Sequence, residues 1–191
     1  MPNKIKYGLS NCYYAVGTAG SGNTMTYGTP VALPGAVSLS LDQNGGQTTF
    51  YADNVAYWVG NANNGYTGSL ELARIPETFE TDILGNITDD NAVSVEDAAA
   101  TSVHFALLFQ FEGDASATRH VMYNCVASRP GVSGSTKEDT IETQTETIDL
   151  TCTPIHNTTL NTDIVKSKTT DTTATATVTG WYSAVYVPVK T

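Results

Sequence analysis

Histidine is the side chain best suited to acid–base chemistry near neutral pH, and the chain has three: His104, His120 and His156. A nucleophilic site needs a Ser or Cys, a base, and an acid that orients the base. The three histidines are scattered, and no serine lies in the Gly-x-Ser-x-Gly turn that exposes a nucleophile. The sequence therefore predicts no catalytic residue, and we expect a protein that is not an enzyme.

Metal and cofactor sites need ligands at close spacing, and the sequence offers none that fits. The cysteines form no Cys-x-x-Cys pair and each falls in an apparent strand: Cys12, Cys125 and Cys152. An acidic cluster, Glu138, Asp139 and Glu142, does not have the spacing of a calcium loop. No Gly-rich phosphate loop follows a strand. We predict neither a metal nor a cofactor.

The charge of the chain limits the kinds of partner that it can bind. The formal net charge is -10, from 9 basic and 19 acidic residues. No Lys or Arg occurs between Lys6 and Arg74, and none occurs between Pro76 and Asp114. A protein that grips nucleic acid by its phosphates needs clustered cations, so we expect no specific DNA binding.

The chain start and the cysteine count predict the compartment. The first six residues lack the apolar run of a signal peptide, and no stretch has the length of a membrane helix. An odd number of cysteines argues against a disulfide framework. We therefore expect synthesis and folding in a cytoplasm, with reduced thiols and no membrane partner.

The elements that would position any site are mostly strands, because Thr, Tyr, Val, Ser, Asn and Gly dominate. In residues 36–41, Val37, Leu39 and Leu41 point one way and the serines between them the other, the pattern of a half-exposed strand. Residues 42–46 contain Asn44-Gly45 and predict a hairpin tip, with residues 47–52 as the returning strand.

The cation-free region from residue 36 to residue 59 has two interpretations. In the first interpretation, the region projects from the domain and docks on a partner. In the second, it is an ordinary hairpin that packs on the core of its own domain. The candidate inter-subunit residues of this region are Asn44, Gly45, Phe50, Tyr51, Tyr57 and Trp58.

One helix is predicted over residues 76–84. Pro76 suits the first helical position and Gly85 the stop. The apolar stripe of Phe79, Ile83 and Leu84 is expected to pack against the sheet.

Later strands are predicted over residues 104–111, 119–127, 147–153 and 163–168. With eight to ten strands and one short helix, we predict an all-β, antiparallel two-sheet β-sandwich. We expect a single domain over residues 1–191, with 169–191 as a candidate C-terminal extension. The Thr/Ala alternation of residues 169–179 leaves strand and loop open.

Several stretches resemble the major tail (tail tube) proteins of long-tailed bacteriophages that infect Gram-positive bacteria. The most specific is RHVMYNCVASRP, from Arg119, followed by GSTKED and QTET. The others are KYGL, YAV, ALPGAVSLSLD, FYAD, NNGYTGSLEL, IPETFETDILG and HFALLFQF. The resemblance runs from about residue 6 to Pro154 and weakly onward to Trp181 and Pro188.

This resemblance implies a β-sandwich of the tail-tube type whose hexameric rings stack into a tube. The implied partners are other copies of the chain, a tape-measure protein, and the tail initiator and terminator proteins. DNA would pass through without specific binding. The implied location is the virion tail, after assembly in the host cytoplasm.

The polar faces of the half-exposed strands are our candidates for the bore. They are Ser38, Ser40 and Asp42, then Gln47 and Thr49 on the expected partner strand, and Thr147, Asp149 and Thr151. Their apolar neighbours Val37, Leu39, Leu41, Ile148 and Leu150 are expected to face the core. Such a face can equally be outer surface.

A second class remains open, a non-catalytic β-sandwich module that binds carbohydrate or another surface through exposed Tyr and Trp side chains. Fold alone does not separate it from a tail-tube subunit.

Overall fold

The computed structural model describes residues 5, 7–112, 118–136 and 143–190. Its longer strands are β1 (Tyr7–Ala19), β4 (Ala36–Gln43), β5 (Gln47–Ala52), β6 (Val55–Asn61), β7 (Tyr66–Leu72), β10 (Phe105–Glu112), β11 (Arg119–Ala127) and β12 (Glu146–Cys152). The short ones are β2 (Met25–Tyr27), β3 (Val31–Ala32), β8 (Ile87–Thr88), β9 (Ser94–Val95), β13 (Ile155–Asn157), β14 (Thr162–Ile164) and β15 (Lys166–Lys168). Helix α1 (Glu77–Phe79) continues into a π-helical turn, Glu80–Leu84, and α2 is Thr175–Gly180.

A 9-stranded antiparallel sheet organises the molecule, in the order β2-β1-β10-β11-β12-β7-β4, with β3 on β1 and β15 on β11. Strand β4 also contacts β1 from the far end of the sheet, so the sheet folds over. Side chains from β1, β4, β7, β10, β11 and β12 meet in the enclosed core. The all-β, antiparallel prediction is confirmed, and the two layers around this core are halves of one sheet.

A second core lies on the outer face of β1, β10 and β11. Ala106, Leu108 and Tyr123 point into it, which explains why β10 is buried on both faces. The C-terminal segment covers this face, with Trp181 buried and Tyr186 stacked on it at 5.4 Å. The region left open between strand and loop holds helix α2, whose own side chains are not buried.

The helix of the sequence prediction is present in a modified form. Its first turn is α1, and the following π-helical turn ends at Gly85, whose φ of 76° closes the helix in the left-handed region. Phe79, Ile83 and Leu84 are buried, as predicted. The Phe79 ring meets the Tyr14 ring edge-on at 5.1 Å, so the helix packs on the enclosed core.

The hairpin predicted at residues 42–46 is wrong. Strand β4 pairs with β7, and β5 pairs with β6. The turn lies at Asp53 and Asn54, whose φ angles of 52° and 61° fit a two-residue hairpin turn. Asn44 instead accepts a 2.7 Å backbone hydrogen bond from Asn64, so the chain continues straight from β4 into β5. Residues 36–72 thus form one long hairpin.

Candidate assembly surfaces

The outer faces of β4, β7 and β12 form one polar surface, here called the polar wall. Backbone register places its side chains in three rows. The rows are Ser38–Glu71–Thr147, Ser40–Ser69–Asp149 and Asp42–Thr67–Thr151. The wall holds hydroxyl and carboxylate groups and no cation, so it presents negative charge to whatever faces it.

Six of the predicted bore residues therefore come together in the wall, although β4 and β12 are not neighbours. Strand β7 lies between them and supplies Thr67, Ser69 and Glu71, which the sequence analysis missed. The signal was present, because these residues alternate with Leu70 and Leu72, both buried. The sequence pattern did not reveal which strands β7 pairs with, because alternation within one strand does not specify its neighbours in the sheet.

Glu71 is the most constrained side chain of the wall. The Thr145 hydroxyl donates to its Oε1 at 2.6 Å, and the Ser38 hydroxyl donates to its Oε2 at 2.7 Å. These hydrogen bonds, with that of Thr145 the larger cause, hold the pKa of Glu71 below its ordinary value. The carboxylate thus links the strands and keeps its charge.

The strand arrangement expected for the candidate bore residues is wrong in two places, while the bore assignment itself stays a prediction. Gln47 and Thr49 lie on β5 and pair with Asn61 and Val59, outside the three rows. Val37, expected in the core, is exposed because a register shift between Ala36 and Ser38 turns it outward. Leu39 and Leu41 pack against the enclosed core and Ile148 and Leu150 are buried within it, as predicted.

The distal part of the long hairpin, residues 47–61, is here called the apolar arm. The main contacts of β5 and β6 are with each other. Its exposed apolar side chains are Phe50, Tyr51, Val55, Tyr57, Trp58 and Val59. Tyr57 is 73% exposed and Trp58 56%, values that a side chain packed on its own core does not have.

The base of the arm is narrow. Gly45, predicted as part of a turn, instead passes close to the returning strand, where a Cβ atom would lie 1.9 Å from the carbonyl oxygen of Ala62. The amide of Ala62 donates to the carbonyl of Gly46 at 3.0 Å. A side chain at position 45 would separate the two legs, so Gly45 permits the close approach that continues the hairpin.

The three histidines are spread over the fold and have different neighbours. His104 Nδ1 is 2.6 Å from Asn124 Oδ1, His120 stacks on Phe109 at 5.1 Å, and His156 Nδ1 lies 2.9 Å from Asp163. In the described residues no three metal-ligating side chains cluster. Glu138, Asp139 and Glu142 lie outside the described residues. None of the helices in the described residues has the length and hydropathy of a membrane-spanning segment.

The three cysteines lie in strands and are buried, as predicted. Cys12 on β1 stands alone, and burial raises the pKa of its thiol to about 11. Cys125 and Cys152 face each other across β11 and β12, and their sulfur atoms lie 2.6 Å apart.

No protein-family model and no curated protein matches the sequence. Among solved structures, the chain is similar to one in the 6-fold symmetrised cryo-EM structure of the anti-feeding prophage (AFP) baseplate, with a TM-score of 0.44 and 12% identity. The match covers 90% of this chain and 99% of that chain.

Proposed function

We propose that this chain is a phage structural protein that forms hexameric rings, and that these rings stack into the tail tube through which DNA is delivered. One observation carries the proposal: the long hairpin contributes two of the three strands of the cation-free polar wall at its base and carries the exposed apolar arm at its end. The wall supplies a bore that does not hold phosphate, and the arm supplies the contact between copies.

The apolar arm is the surface proposed for contact between copies. Exposed apolar side chains cost free energy in water, about 25 cal/mol for each Å² that stays uncovered. A group of six on one two-stranded hairpin marks an interaction surface. A neighbouring copy is the occupant we propose, because the sequence resembles proteins that assemble from identical subunits.

Charge supports contact between copies. The arm carries Asp53 and no Lys or Arg. Strand β15, elsewhere on the surface, carries the exposed Lys166 and Lys168. A head-to-tail contact between unlike surfaces generates a ring when the rotation between copies closes, and opposite charges on the two surfaces favour one docking register over others.

The polar wall is the surface proposed to line the bore. DNA slides freely only past surfaces that form few phosphate contacts, because each cation that pairs with a phosphate adds salt-dependent affinity. Asp42, Glu71 and Asp149 repel phosphate instead. The same bore would accommodate a tape-measure protein during assembly in the host cytoplasm, with initiator and terminator proteins at the two ends of the tube in the virion tail.

The test is assembly by the purified full chain. We expect rings or tubes by negative-stain microscopy, and sedimentation that depends on concentration. The double variant Phe50→Thr/Trp58→Thr keeps β-forming residues at both positions. It is expected to remain a folded monomer whose Tm falls by no more than about 2–4 °C, because both side chains are exposed and their cross-strand pair contributes at most about 1 kcal/mol. Tubes formed by the double variant at the concentration of the parent would remove the arm from the proposal.

A second function is favoured by the aromatic side chains of the arm. Tyr51, Tyr57 and Trp58 are exposed, and aromatic faces bind sugar rings in many carbohydrate-binding modules. Glycan-array binding by a chain that stays monomeric at high concentration would favour this module. Assembly without glycan binding would favour the tail-tube subunit.

A further inference from the structure

We propose that Cys125 and Cys152 form a disulfide when the protein meets an oxidising medium, and that this bond locks the two halves of the sheet together. The proposal does not depend on the tail-tube function. It rests on the position of the two residues in the β11–β12 pairing.

The backbone register makes this pair suitable for a disulfide. Cys125 is directly opposite Cys152, and the amide of Thr153 donates to the carbonyl of Asn124 at 2.9 Å. That pattern identifies a non-hydrogen-bonded pair, in which opposed Cα atoms approach to about 4.5 Å. The Cα separation of disulfides starts at about 4.4 Å, so no strand has to move far for the bond to form.

The Cys125–Cys152 disulfide would join the two halves of the sheet because of where the two residues lie. Strand β11 belongs to the half formed with β1 and β10, whereas β12 belongs to the half that carries β7, β4 and the apolar arm. The β11–β12 register spans three residue pairs, from Cys125 to Ala127, against seven between β12 and β7. The disulfide would therefore reinforce a ladder of three residue pairs, which is the connection between the two halves along this path.

The reaction balances with a low-molecular-weight disulfide as oxidant. The Cys125 thiolate attacks one sulfur of the oxidant, forming a mixed disulfide and releasing one thiolate. The Cys152 thiolate then displaces the second, and the Cys125–Cys152 bond forms. Each protein thiol loses its proton, and two electrons pass to the oxidant, which leaves as two thiols.

Burial of the two thiols limits the rate at which they are oxidised. Both side chains are fully buried, and desolvation raises the pKa of the Cys125 thiol well above its ordinary value. The thiolate is therefore scarce while the two strands are paired. Oxidation requires a local opening of the β11–β12 ladder, so we expect it to be slow in buffer and faster in urea below the unfolding midpoint.

The experiment incubates the reduced full chain with oxidised glutathione, with and without such urea, then alkylates the remaining thiols in denaturant and maps the peptides. We expect a linked Cys125–Cys152 peptide pair and one alkylated residue, Cys12. The oxidised protein should melt roughly 5–10 °C above the same protein after reduction, because the bond closes a loop in the unfolded chain.

Two variants serve as controls. Cys12→Ala should keep both the linked pair and the Tm shift, and Cys152→Ala should lose both. Peptide mapping of the unsubstituted chain decides the question if Cys152→Ala does not fold. Three alkylated cysteines after incubation in both conditions, a bond that includes Cys12, or an oxidised form without a higher Tm would overturn the proposal.

Discussion

Phe50 lies directly opposite Trp58 across the ladder of the apolar arm, and both side chains are more than half exposed to solvent. Aromatic pairs opposed across two strands contribute up to about 1 kcal/mol, which helps to order the arm. A lone two-stranded hairpin is marginally stable in water, so the pair alone does not make the arm rigid. We expect the arm to gain a fixed structure when another surface covers its apolar side chains.

The first prediction compares two valines. Val59 on the arm and Val95 on the β8–β9 hairpin are each 46% exposed. Val→Thr exchanges a methyl for a hydroxyl at nearly constant shape, so neither variant should change the Tm. If copies bury the arm, Val59→Thr raises the critical concentration for assembly about fourfold, as expected for the loss of one buried methyl.

Sedimentation velocity over a concentration series measures the effect. Val95→Thr should assemble as the parent does. Identical critical concentrations for Val59→Thr and the parent would mean that Val59 stays exposed in the assembly.

The second prediction uses adjacent glycines. A Cβ at Gly45 would lie 1.9 Å from the carbonyl oxygen of Ala62, whereas one at Gly46 would meet nothing within 4 Å. Gly45→Ala should push the legs of the hairpin apart and weaken the hydrogen bond from Ala62 to Gly46. Forcing atoms into filled space costs about 1–3 kcal/mol, so arm amides should exchange roughly tenfold faster or more.

Hydrogen exchange read by mass spectrometry follows β5 and β6, with Gly46→Ala as the control. Equal protection of the arm in the two variants would contradict the close approach at position 45.

The arm also shows what the sequence did and did not predict. Its apolar, cation-free character was visible, and the alternation in residues 36–41 identified β4. The turn was misplaced because Asn44-Gly45 is the stronger hairpin signal in general. Asp53-Asn54 forms the turn, since Asp and Asn also adopt positive φ with little strain. Local turn preference did not reveal that β4 pairs with β7, a partner some thirty residues away.

The third prediction concerns the helix. Phe79 is fully buried, with its ring edge-on to Tyr14 at 5.1 Å and to Phe105 at 5.6 Å. Phe79→Ala should lower the free energy of unfolding by about 3–5 kcal/mol, because it removes the ring and leaves a cavity. Urea unfolding followed by Trp fluorescence measures the loss.

Glu77→Ala is the matched control in the same helix, because that side chain is exposed and its contact with Arg74 spans 3.7 Å at the surface. It should unfold as the parent does. A Phe79→Ala midpoint equal to that of the control would show that the helix does not hold the enclosed core.

The fourth prediction concerns the charge of Glu71. Hydroxyl hydrogen bonds from Thr145 and Ser38 lower the pKa of Glu71 from the ordinary value of 4.5. A group whose folded-state pKa is depressed stabilises the fold above its unfolded pKa, and that contribution is lost as the pH falls through the folded value. The contribution of Glu71 should therefore be complete above about pH 4.5 and disappear below it.

Carbon-detected NMR titration of the Glu71 carboxyl measures the shift directly. Thr145→Val should raise the pKa toward its ordinary value more than Ser38→Ala does, since the Thr145 bond is the larger cause. Ser40→Ala, in the next row of the wall, should leave the pKa of Glu71 unchanged. A Glu71 pKa at the ordinary value in the parent chain would show that these hydrogen bonds do not persist in solution.

The structure of the C-terminal segment also could not be predicted from the sequence. The Thr/Ala run carries no periodic apolar signal, and α2 buries none of its own side chains. The segment is placed by Trp181, whose indole donates to the carbonyl of His120 at 3.4 Å, and by Tyr186, whose carbonyl accepts from Tyr123 at 3.0 Å. These contacts link positions more than sixty residues apart. Only the folded sheet brings such positions together, so local pattern could not predict them.

The final prediction tests the polar wall against DNA, and it rests on the proposed tail-tube function. Ser40 is in the central row of the wall, and Ser38 and Asp42, on the same face of its strand, are also exposed. Ser40 pairs with Ser69, which in turn pairs with Asp149. Ser40→Lys would place a ring of new cations in the bore. Tubes should still assemble, because the side chain is exposed and the arm is untouched. Ejection of DNA from phage built with this variant should slow, and the delay should shrink as salt rises, because each new phosphate contact releases counterions.

Ser21→Lys adds the same charge in the exposed turn between β1 and β2, and phage built with it should eject DNA as the parent does. Equal ejection rates for Ser40→Lys and the parent at both low and high salt would mean that this wall does not face DNA.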